Sequence, residues 1–528
     1  MTIANLDFKK INKIYYLIIL SIFSFFINQY YGYIGVSPLD NFFSFNSGYD
    51  ILNGHYPFKD YWTITGPLIG FFQALLFKMF GVSWSSYILQ ASIFNFIISI
   101  STFYVLYKFK LNKEYCFFYS ILLSIIAYPS VGTPYVDHQS AYLCIISIYV
   151  FILALKTKSK FYWFILPAVL IMAFLTKQAP TGYFILIIAF LSIIYFIFNF
   201  NLEKFFSGFL GLIVAGSIFA SILIVFEIPF LSFFQQYILY PLSIGGSRTD
   251  LLFPLEFTRI ILRFKLIHLS LLILLIVSIK GILKGYKYLK SDEFMITLSL
   301  ISSAFALIIH QLMTINGMFI FFIIPILTGF SHVYFLRYFK SKKYILYLLI
   351  FLSLASTVHY WNKYINKRDF IDLSKANIAT AIDAKILDKK LNGLKWITLG
   401  YMENPKKEIS YLKEAMNIIK NDNKVKTIVT DYQFISVAMS LYDNSPNAYW
   451  FKHHVYPEKG HKHFAIYKKF FISKLKENKI KVVYTVKPLS GDDDVLDEIL
   501  NKNCVKKISI TKILDSHLLL DCEDLRRK

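Results

Sequence analysis

Apolar stretches long enough to cross a lipid bilayer recur along the first two thirds of this 528-residue chain. A membrane-crossing helix needs about 20 mostly apolar residues, and polar loops separate stretches of that kind between residues 14 and 359. With 56% apolar and only 17% charged residues, the chain cannot cover the surface of a soluble protein of this size with polar groups. The pattern therefore predicts a polytopic α-helical membrane protein. The predicted crossings, about eleven in number, are 14–33, 84–107, 115–131, 140–155, 161–176, 181–200, 205–228, 266–281, 294–312, 316–336 and 343–359.

A shorter apolar stretch at 66–80 decides how the loops alternate between the two sides of the membrane. It is too short to cross and has no charge clusters beside it, so we predict a helix lying at the interface. With this helix left out of the count, the lysine-rich loops all fall on one side, which the positive-inside rule makes cytoplasmic. The N-terminus is then cytoplasmic, and an odd number of crossings puts everything after His359 outside. The cations on the cytoplasmic side are Lys9, Lys10, Lys13, Lys108, Lys110, Lys113, Lys156, Lys158, Lys160, Lys204, Lys280, Lys284, Lys287, Lys290, Arg337, Lys340, Lys342 and Lys343.

The net charge of +23 is thus explained by topology and contact with membrane lipids, and no nucleic-acid partner is expected. One basic loop, 229–265, lies on the external side and contains Arg248, Arg259 and Arg263. A cation cluster on that side calls for an anionic partner.

From residue 360 onwards the composition becomes polar, with short β-branched runs that predict a small extracytoplasmic α/β domain over 360–528. Cys504 and Cys522 are symmetric about position 513, where a turn would bring the two sulfurs together. A disulfide and two unpaired thiols are both compatible with this spacing. The chain has no Asn-x-Ser/Thr sequon, which favours a bacterial inner membrane with a periplasmic C-terminal domain. The predicted strands are 394–399, 425–430 and 480–486, and the predicted helices are 406–420 and 465–477.

The first external loop, 34–65, is rich in polar and aromatic residues. Asp40 comes a few residues after a membrane helix, where partial desolvation would raise the basicity of its carboxylate and a lipid-borne substrate could reach it. It is also placed to act only as a helix N-cap. The next external loop contains Asp137 and His138, which are candidates for substrate or divalent-metal binding, or for a simple cap of the helix that follows.

The first external loop also carries a family resemblance. The run Asn53-Gly-His-Tyr-Pro-Phe-Lys-Asp60-Tyr-Trp, followed by Gly66-Pro-Leu and a closing Phe80-Gly, resembles the first external loop of GT-C superfamily glycosyltransferases. It is most similar to the bacterial branch related to protein O-mannosyltransferases and the lipid A aminoarabinose transferase. A Lys that many relatives carry before the prolines is replaced here by Thr63-Ile-Thr65-Gly66. The positions that match in order are Asp40, Gly54, Pro57, Asp60, Pro67, Phe80 and Gly81.

The resemblance implies a membrane transferase domain over 1–359, with a catalytic loop at 34–83 and a C-terminal domain over 360–528. It implies an inverting transfer of a sugar from a polyprenyl-phosphate donor to a glycan, lipid or protein acceptor. Asp40 would be the base that deprotonates the acceptor, and Asp60, Asp137 and His138 would bind the acceptor or supply a second acidic group. A lipid-linked glycan polymerase or ligase with a diphosphate donor, and a lipid or sugar transporter or flippase, remain alternatives. The resemblance specifies no cofactor, and a divalent metal at Asp137 and His138 is compatible with the loop, so the need for a metal stays open.

A departing lipid phosphate needs cations at the external end of the helices. Lys177 is the first candidate, with headgroup contact as its alternative, and Arg248, Arg259 and Arg263 are the others. The nearby pair His310 and Gln311 is more typical of buried hydrogen-bonding groups. A tail group of histidines resembles a metal site only loosely, and three tail aromatics are candidates for sugar binding or for core packing. These are His453, His454, His461 and His463, and Tyr449, Trp450 and Tyr456.

Overall fold

The structure, a computed structural model, describes residues 12–249, 256–314, 319–339, 343–440, 445–452, 454–489 and 495–520. Within them the protein is mostly helical, with a small sheet region near the C-terminus. Nine helices in the described part of the chain are long and apolar enough to cross a membrane. The length and composition of these helices thus confirm the prediction of a protein with many potential membrane crossings.

The helices are numbered in chain order. They are α1 (Lys13–Tyr31), α2 (Pro38–Leu52), α3 (Pro67–Phe80), α4 (Trp84–Lys108), α5 (Lys113–Ile126), α6 (Val136–Thr157), α7 (Lys160–Phe174), α8 (Gln178–Phe198), α9 (Leu202–Val225), α10 (Phe230–Phe233), α11 (Tyr240–Thr249), α12 (Lys265–Leu283), α13 (Tyr286–Leu289), α14 (Asp292–Thr314), α15 (Ile323–Tyr338), α16 (Lys343–Tyr360), α17 (Pro405–Asn421), α18 (Phe434–Ala438), α19 (Phe464–Glu477) and α20 (Val495–Ile499).

Two of the predicted crossings, 115–131 and 161–176, correspond to helices of only 14 and 15 residues, α5 and α7. Each nevertheless returns the chain to the end of the bundle where the preceding long helix began. Lys177, just after α7, meets Asp137 in the first turn of α6. The segment after α5 meets the start of α2, where the Asn41 side-chain amide donates to the Val131 carbonyl at 2.8 Å. We call this end of the bundle the loop end.

Lysines mark the opposite end of the bundle. The Lys13 ammonium lies 4.7 Å from the centre of the Tyr107 ring, and Lys156 lies 5.5 Å from the centre of the Phe109 ring. Arg337 Nη1 pairs with a Glu293 carboxylate oxygen at 2.7 Å. The cation clusters that the sequence assigned to one side therefore lie together, while Lys9, Lys10, Lys340 and Lys342 fall outside the described residues.

The predicted first external loop and the short apolar stretch after it fold into the packed helices α2 and α3. The helix predicted at 66–80 is confirmed as α3, which is too short for a crossing. Gly48 and Gly70 allow the two helices to approach, because a Cβ at either position would lie within 2.6 Å of a side-chain atom of the other helix.

The C-terminal sheet is mixed, with the strand order β3-β4-β6-β5 and a separate two-stranded pair, β1-β2. The predicted strands 425–430 and 480–486 and both predicted helices are confirmed. The predicted strand 394–399 is reduced to two residues. The chain reversal predicted about position 513 is confirmed by the antiparallel pair β5–β6, although the two strands were not predicted by their bounds. Cys504 is disulfide-bonded, and Cys522 lies outside the described residues. The strands are β1 (Ile382–Asp383), β2 (Lys395–Trp396), β3 (Lys426–Thr430), β4 (Val482–Val486), β5 (Val505–Ser509) and β6 (Leu514–Leu519).

The C-terminal region shares a hydrophobic core with α2. Phe42, which is fully buried, stacks on Trp396 at 5.8 Å between ring centres and meets Phe434 at 4.8 Å. Arg368, at the start of the C-terminal region, is also buried and donates to the Tyr31 carbonyl and the Tyr128 hydroxyl. The region after residue 359 is therefore packed against the loop that carries Asp40.

Candidate functional site

A cavity of about 590 Å³ at the loop end brings together several of the residues singled out in the sequence. Asp40 enters from α2, Asp137 from the first turn of α6, Lys177 from the residue before α8, and Arg248 from α11. The C-terminal region closes the cavity with Tyr449 and its neighbours. Residues far apart in sequence thus bring four charged side chains to the wall of one cavity, which we call the polar cavity.

Asp40 is not a helix N-cap, so that interpretation was wrong. The helix begins with Pro38 at its first position, which makes Ser37 the N-cap, and the Ser37 amide donates to the Asn41 side-chain oxygen at 2.6 Å. Asp40 is left half-buried at the cavity wall, where its carboxylate accepts a hydrogen bond from the Ser37 hydroxyl at 3.1 Å. Burial raises the pKa of Asp40 to about 6, against the opposing effect of that hydrogen bond. The carboxylate is therefore a base suited to neutral pH.

Asp137 is held by two partners from other helices. Its Oδ1 lies 2.6 Å from Lys177 Nζ and 3.5 Å from His310 Nε2, and its side chain is only 3% exposed. Because α6 begins at Val136, Asp137 lies inside the first turn and does not cap a helix beginning at residue 139 or 140. Lys177 is paired within the protein rather than directed to headgroups, and a quarter of its side chain remains exposed.

A second cavity, of about 540 Å³ and mostly apolar, adjoins the first. It lies between α8, α11 and α14, and its lining includes Leu186 and Leu242. Lys177, Gln178 and Arg248 line both cavities. Lys177 and Arg248 therefore lie on the boundary between the polar cavity and this apolar cavity.

The remaining predicted site residues lie elsewhere among the described residues. The Asp60 carboxylate accepts a hydrogen bond from the Tyr56 amide at 2.7 Å and stabilises the turn that contains both residues. His138 is buried beside the Tyr135 and Tyr142 rings. Neither residue lines the two cavities. Arg259 contacts the Leu312 carbonyl at 3.5 Å and Arg263 contacts the Phe264 ring, and neither arginine lines the two cavities.

The donor atoms in the described part of the chain do not form a divalent-metal site. No group of three or more His, Cys, Asp or Glu side chains there has the arrangement to hold an ion. Asp137 is engaged by an ammonium instead. Of the histidine group in the tail, His454 lines both cavities and His461 and His463 pack against the Tyr240 ring, while His453 lies outside the described residues.

Several residues of the site were missed or undervalued by sequence reasoning. His310 is a buried hydrogen-bonding group, as predicted, but Asp137 as its partner was not predicted; its position near the end of an apolar span was the available signal. Gln178, next to Lys177, donates to the Ile64 and Tyr237 carbonyls at 2.9 and 2.7 Å and fixes the cavity boundary. No sequence pattern separated Tyr449, which lines the cavity, from the buried residues Trp450 and Tyr456.

No protein-family model matches this chain, and a search of curated proteins finds no match. The fold defines the chain as a mostly helical protein with enough long apolar helices to pass through a membrane several times.

Proposed function

We propose that this protein is an integral-membrane glycosyltransferase of the GT-C type, which transfers a sugar from a polyprenyl-phosphate donor to an acceptor outside the cytoplasm. The observation that carries the proposal is the pair of adjoining cavities. A base stands in the polar cavity, and two cations stand on its boundary with an apolar cavity. This arrangement suits a substrate with an apolar tail, an anionic phosphate and a polar sugar.

The apolar cavity supports the lipid part of this donor. A polyprenyl chain needs an apolar channel reachable from the bilayer, and α8 exposes large apolar side chains such as Leu186 and Phe190 on its surface. Leu186 also lines the cavity. A lipid entering beside α8 would bring its phosphate to Lys177 and Arg248.

Lys177 acts on the phosphate through a fixed geometry. Its ion pair with Asp137 holds the ammonium in place, and His310 of α14 contacts Asp137 in turn. Because the pair lowers the net positive charge, Arg248 supplies the additional cation for a phosphate that gains charge as it leaves. Asp137 and His310 are then positioning residues for Lys177.

The chemical step is an inverting displacement. The acceptor hydroxyl oxygen forms a bond to the anomeric carbon while Asp40 takes its proton, and the bond from that carbon to the phosphate oxygen breaks with its electron pair. The lipid monophosphate produced has a second pKa of about 6. Because the pKa of Asp40 is also about 6, the proton can pass on to the product phosphate at little free-energy cost.

The topology proposed with this function has a cytoplasmic N-terminus and an external loop end, in a bacterial inner membrane. The lysine clusters at the opposite end of the bundle from the cavities support this orientation, since cationic loops are retained in the cytoplasm. It places the C-terminal region and the polar cavity on the periplasmic side, where acceptor glycans, lipids or proteins are found.

The test is the pair of variants Asp40→Asn and Asp60→Asn in a strain that lacks the gene. Mass spectrometry of envelope glycolipids and glycans should show a missing monosaccharide that the wild-type gene restores. Asp40→Asn should lower transfer by about 10²–10⁴ through loss of the base. Asp60→Asn, which alters a turn outside both cavities, should restore most of it. Normal transfer by a correctly inserted Asp40→Asn protein would refute the assignment.

A further inference from the structure

A tryptophan in the external loop joins that loop to the C-terminal region. The Trp62 amide donates to the Pro446 carbonyl at 2.8 Å, and the Ala448 amide donates to the Trp62 carbonyl at 2.9 Å. Its indole nitrogen donates to the Val455 carbonyl at 3.0 Å, and the ring is 1% exposed. Pro446, Ala448 and Val455 are therefore held against the loop by main-chain bonds as well as by a buried ring.

Tyr449 follows directly after this junction and is fixed relative to Asp40. Its ring meets the Phe43 ring edge-on at 4.6 Å between centres, and its hydroxyl lies 3.3 Å from the Thr65 hydroxyl. Phe43 comes one helical turn after Asp40, so both lie on the same face of α2. Tyr449 is half-buried and lines the polar cavity together with Asp40.

The phenol of Tyr449 is a hydrogen-bond donor at neutral pH. Burial raises its pKa to about 12, and the negative charges of Asp137 and Asp40 act in the same direction, against the hydrogen bond with Thr65. The hydroxyl therefore keeps its proton beside the base and offers it to a neutral or anionic oxygen.

Five Phe and Tyr rings line the polar cavity together with its charged groups. Tyr135, Phe370 and Phe451 line it together with Phe43 and Tyr449. Aromatic faces carry negative potential and attract the weakly positive C–H groups of a sugar ring, while hydroxyl groups on that ring need a few polar partners. A pyranose fits this combination better than an extended peptide, whose main chain needs a row of hydrogen-bonding partners.

We infer that the C-terminal region supplies the acceptor subsite of this protein, and that Tyr449 selects a sugar ring as the acceptor by stacking on it beside Asp40. The inference rests on the proposed function and adds the class of acceptor to it. The group that attacks the donor is then a sugar hydroxyl, and a Ser or Thr side chain of a protein is excluded as the preferred acceptor.

The experiment measures binding, so that it does not depend on transfer. Full-length protein in lipid nanodiscs is examined by saturation-transfer NMR with methyl glycosides of glucose, mannose and galactose, and with the peptide acetyl-Ala-Thr-Ala-amide. We expect at least one glycoside to bind wild-type protein. Tyr449→Leu should weaken that binding about tenfold, and Tyr449→Phe, which keeps the ring, about threefold or less. Asp40→Asn should still bind the glycoside, because the base is not needed for stacking.

Tyr401→Leu is the matched control, since this half-buried tyrosine of the C-terminal region lines neither cavity. Its glycoside binding should equal that of the wild type. The inference is overturned if no glycoside binds, if Tyr449→Leu binds glycoside normally, or if the peptide binds in a Tyr449-dependent way. Failure of the proposed function appears separately, as normal sugar transfer by Asp40→Asn.

Discussion

The pH dependence of transfer tests the role of Asp40 most directly. A base works only when it has lost its proton, and burial raises the pKa of Asp40 to about 6. With that pKa, about 9% of the carboxylates are ionised at pH 5 and about 91% at pH 7. The transfer rate should therefore rise about tenfold from pH 5 to pH 7 and level off above. An aspartate with an ordinary pKa near 3.8 would already be about 94% ionised at pH 5.

Three variants should shift the midpoint of the pH–rate profile, the pH at which the rate is half its maximum. The charges and hydrogen bonds around Asp40 define the direction of each shift. Ser37→Ala removes the hydroxyl that donates to the carboxylate, and Lys177→Met removes a nearby positive charge, so both should move the midpoint above that of the wild type. Asp137→Asn removes a nearby negative charge and should move it lower. The opposite shifts separate an effect on Asp40 from general damage, which changes the rate at every pH.

The assay is the initial rate of transfer from a purified polyprenyl-phosphate sugar between pH 4.5 and 8.5, at substrate concentrations well below KM, where the rate reports kcat/KM and therefore the pKa of the base in the free protein. The donor phosphate is a diester and does not titrate in this range, so the midpoint belongs to the protein. A profile that is flat above pH 5 would contradict the raised pKa of Asp40. A midpoint that the three variants leave unchanged would show that Asp40 is not the base.

Other predictions concern packing and stability. Gly66→Ala should abolish most transfer and lower the yield of folded protein, because its Cβ would lie 2.0 Å from the Leu175 carbonyl oxygen; Gly216→Ala, in open space, should behave as wild type in the same assays. Glu408→Ala should lower the free energy of unfolding by about 3 kcal/mol, since it leaves three buried donors without their carboxylate, and thermal unfolding followed by tryptophan fluorescence should show an earlier transition. Arg368→Met should lower the unfolding temperature of the whole protein, because it removes the buried guanidinium that joins the C-terminal region to the end of α1 and to the segment after α5; an unchanged temperature would contradict that role.

Local patterns in the sequence determined that this protein is helical and which loops lie at the same end of the helix bundle. Apolar length marked the long helices, and lysine clusters marked one end of the bundle, because both depend on composition within a short stretch. The same kind of pattern predicted α3, α17, α19, β3 and β4. It placed the C-terminal ends of α5 and α7 too late, and it was wrong where Pro38 rather than Asp40 sets the helix start.

Only the tertiary structure decided which polar residues meet. Asp137 and Lys177 are 40 residues apart, and His310 comes from a third helix, yet the three contact one another through Asp137. Tyr449 lines the cavity of Asp40, more than 400 positions away, while the neighbouring Trp450 is buried in the core. The direction of a side chain depends on helix rotation and on packing against distant segments, and neither is encoded in the residues on either side of it.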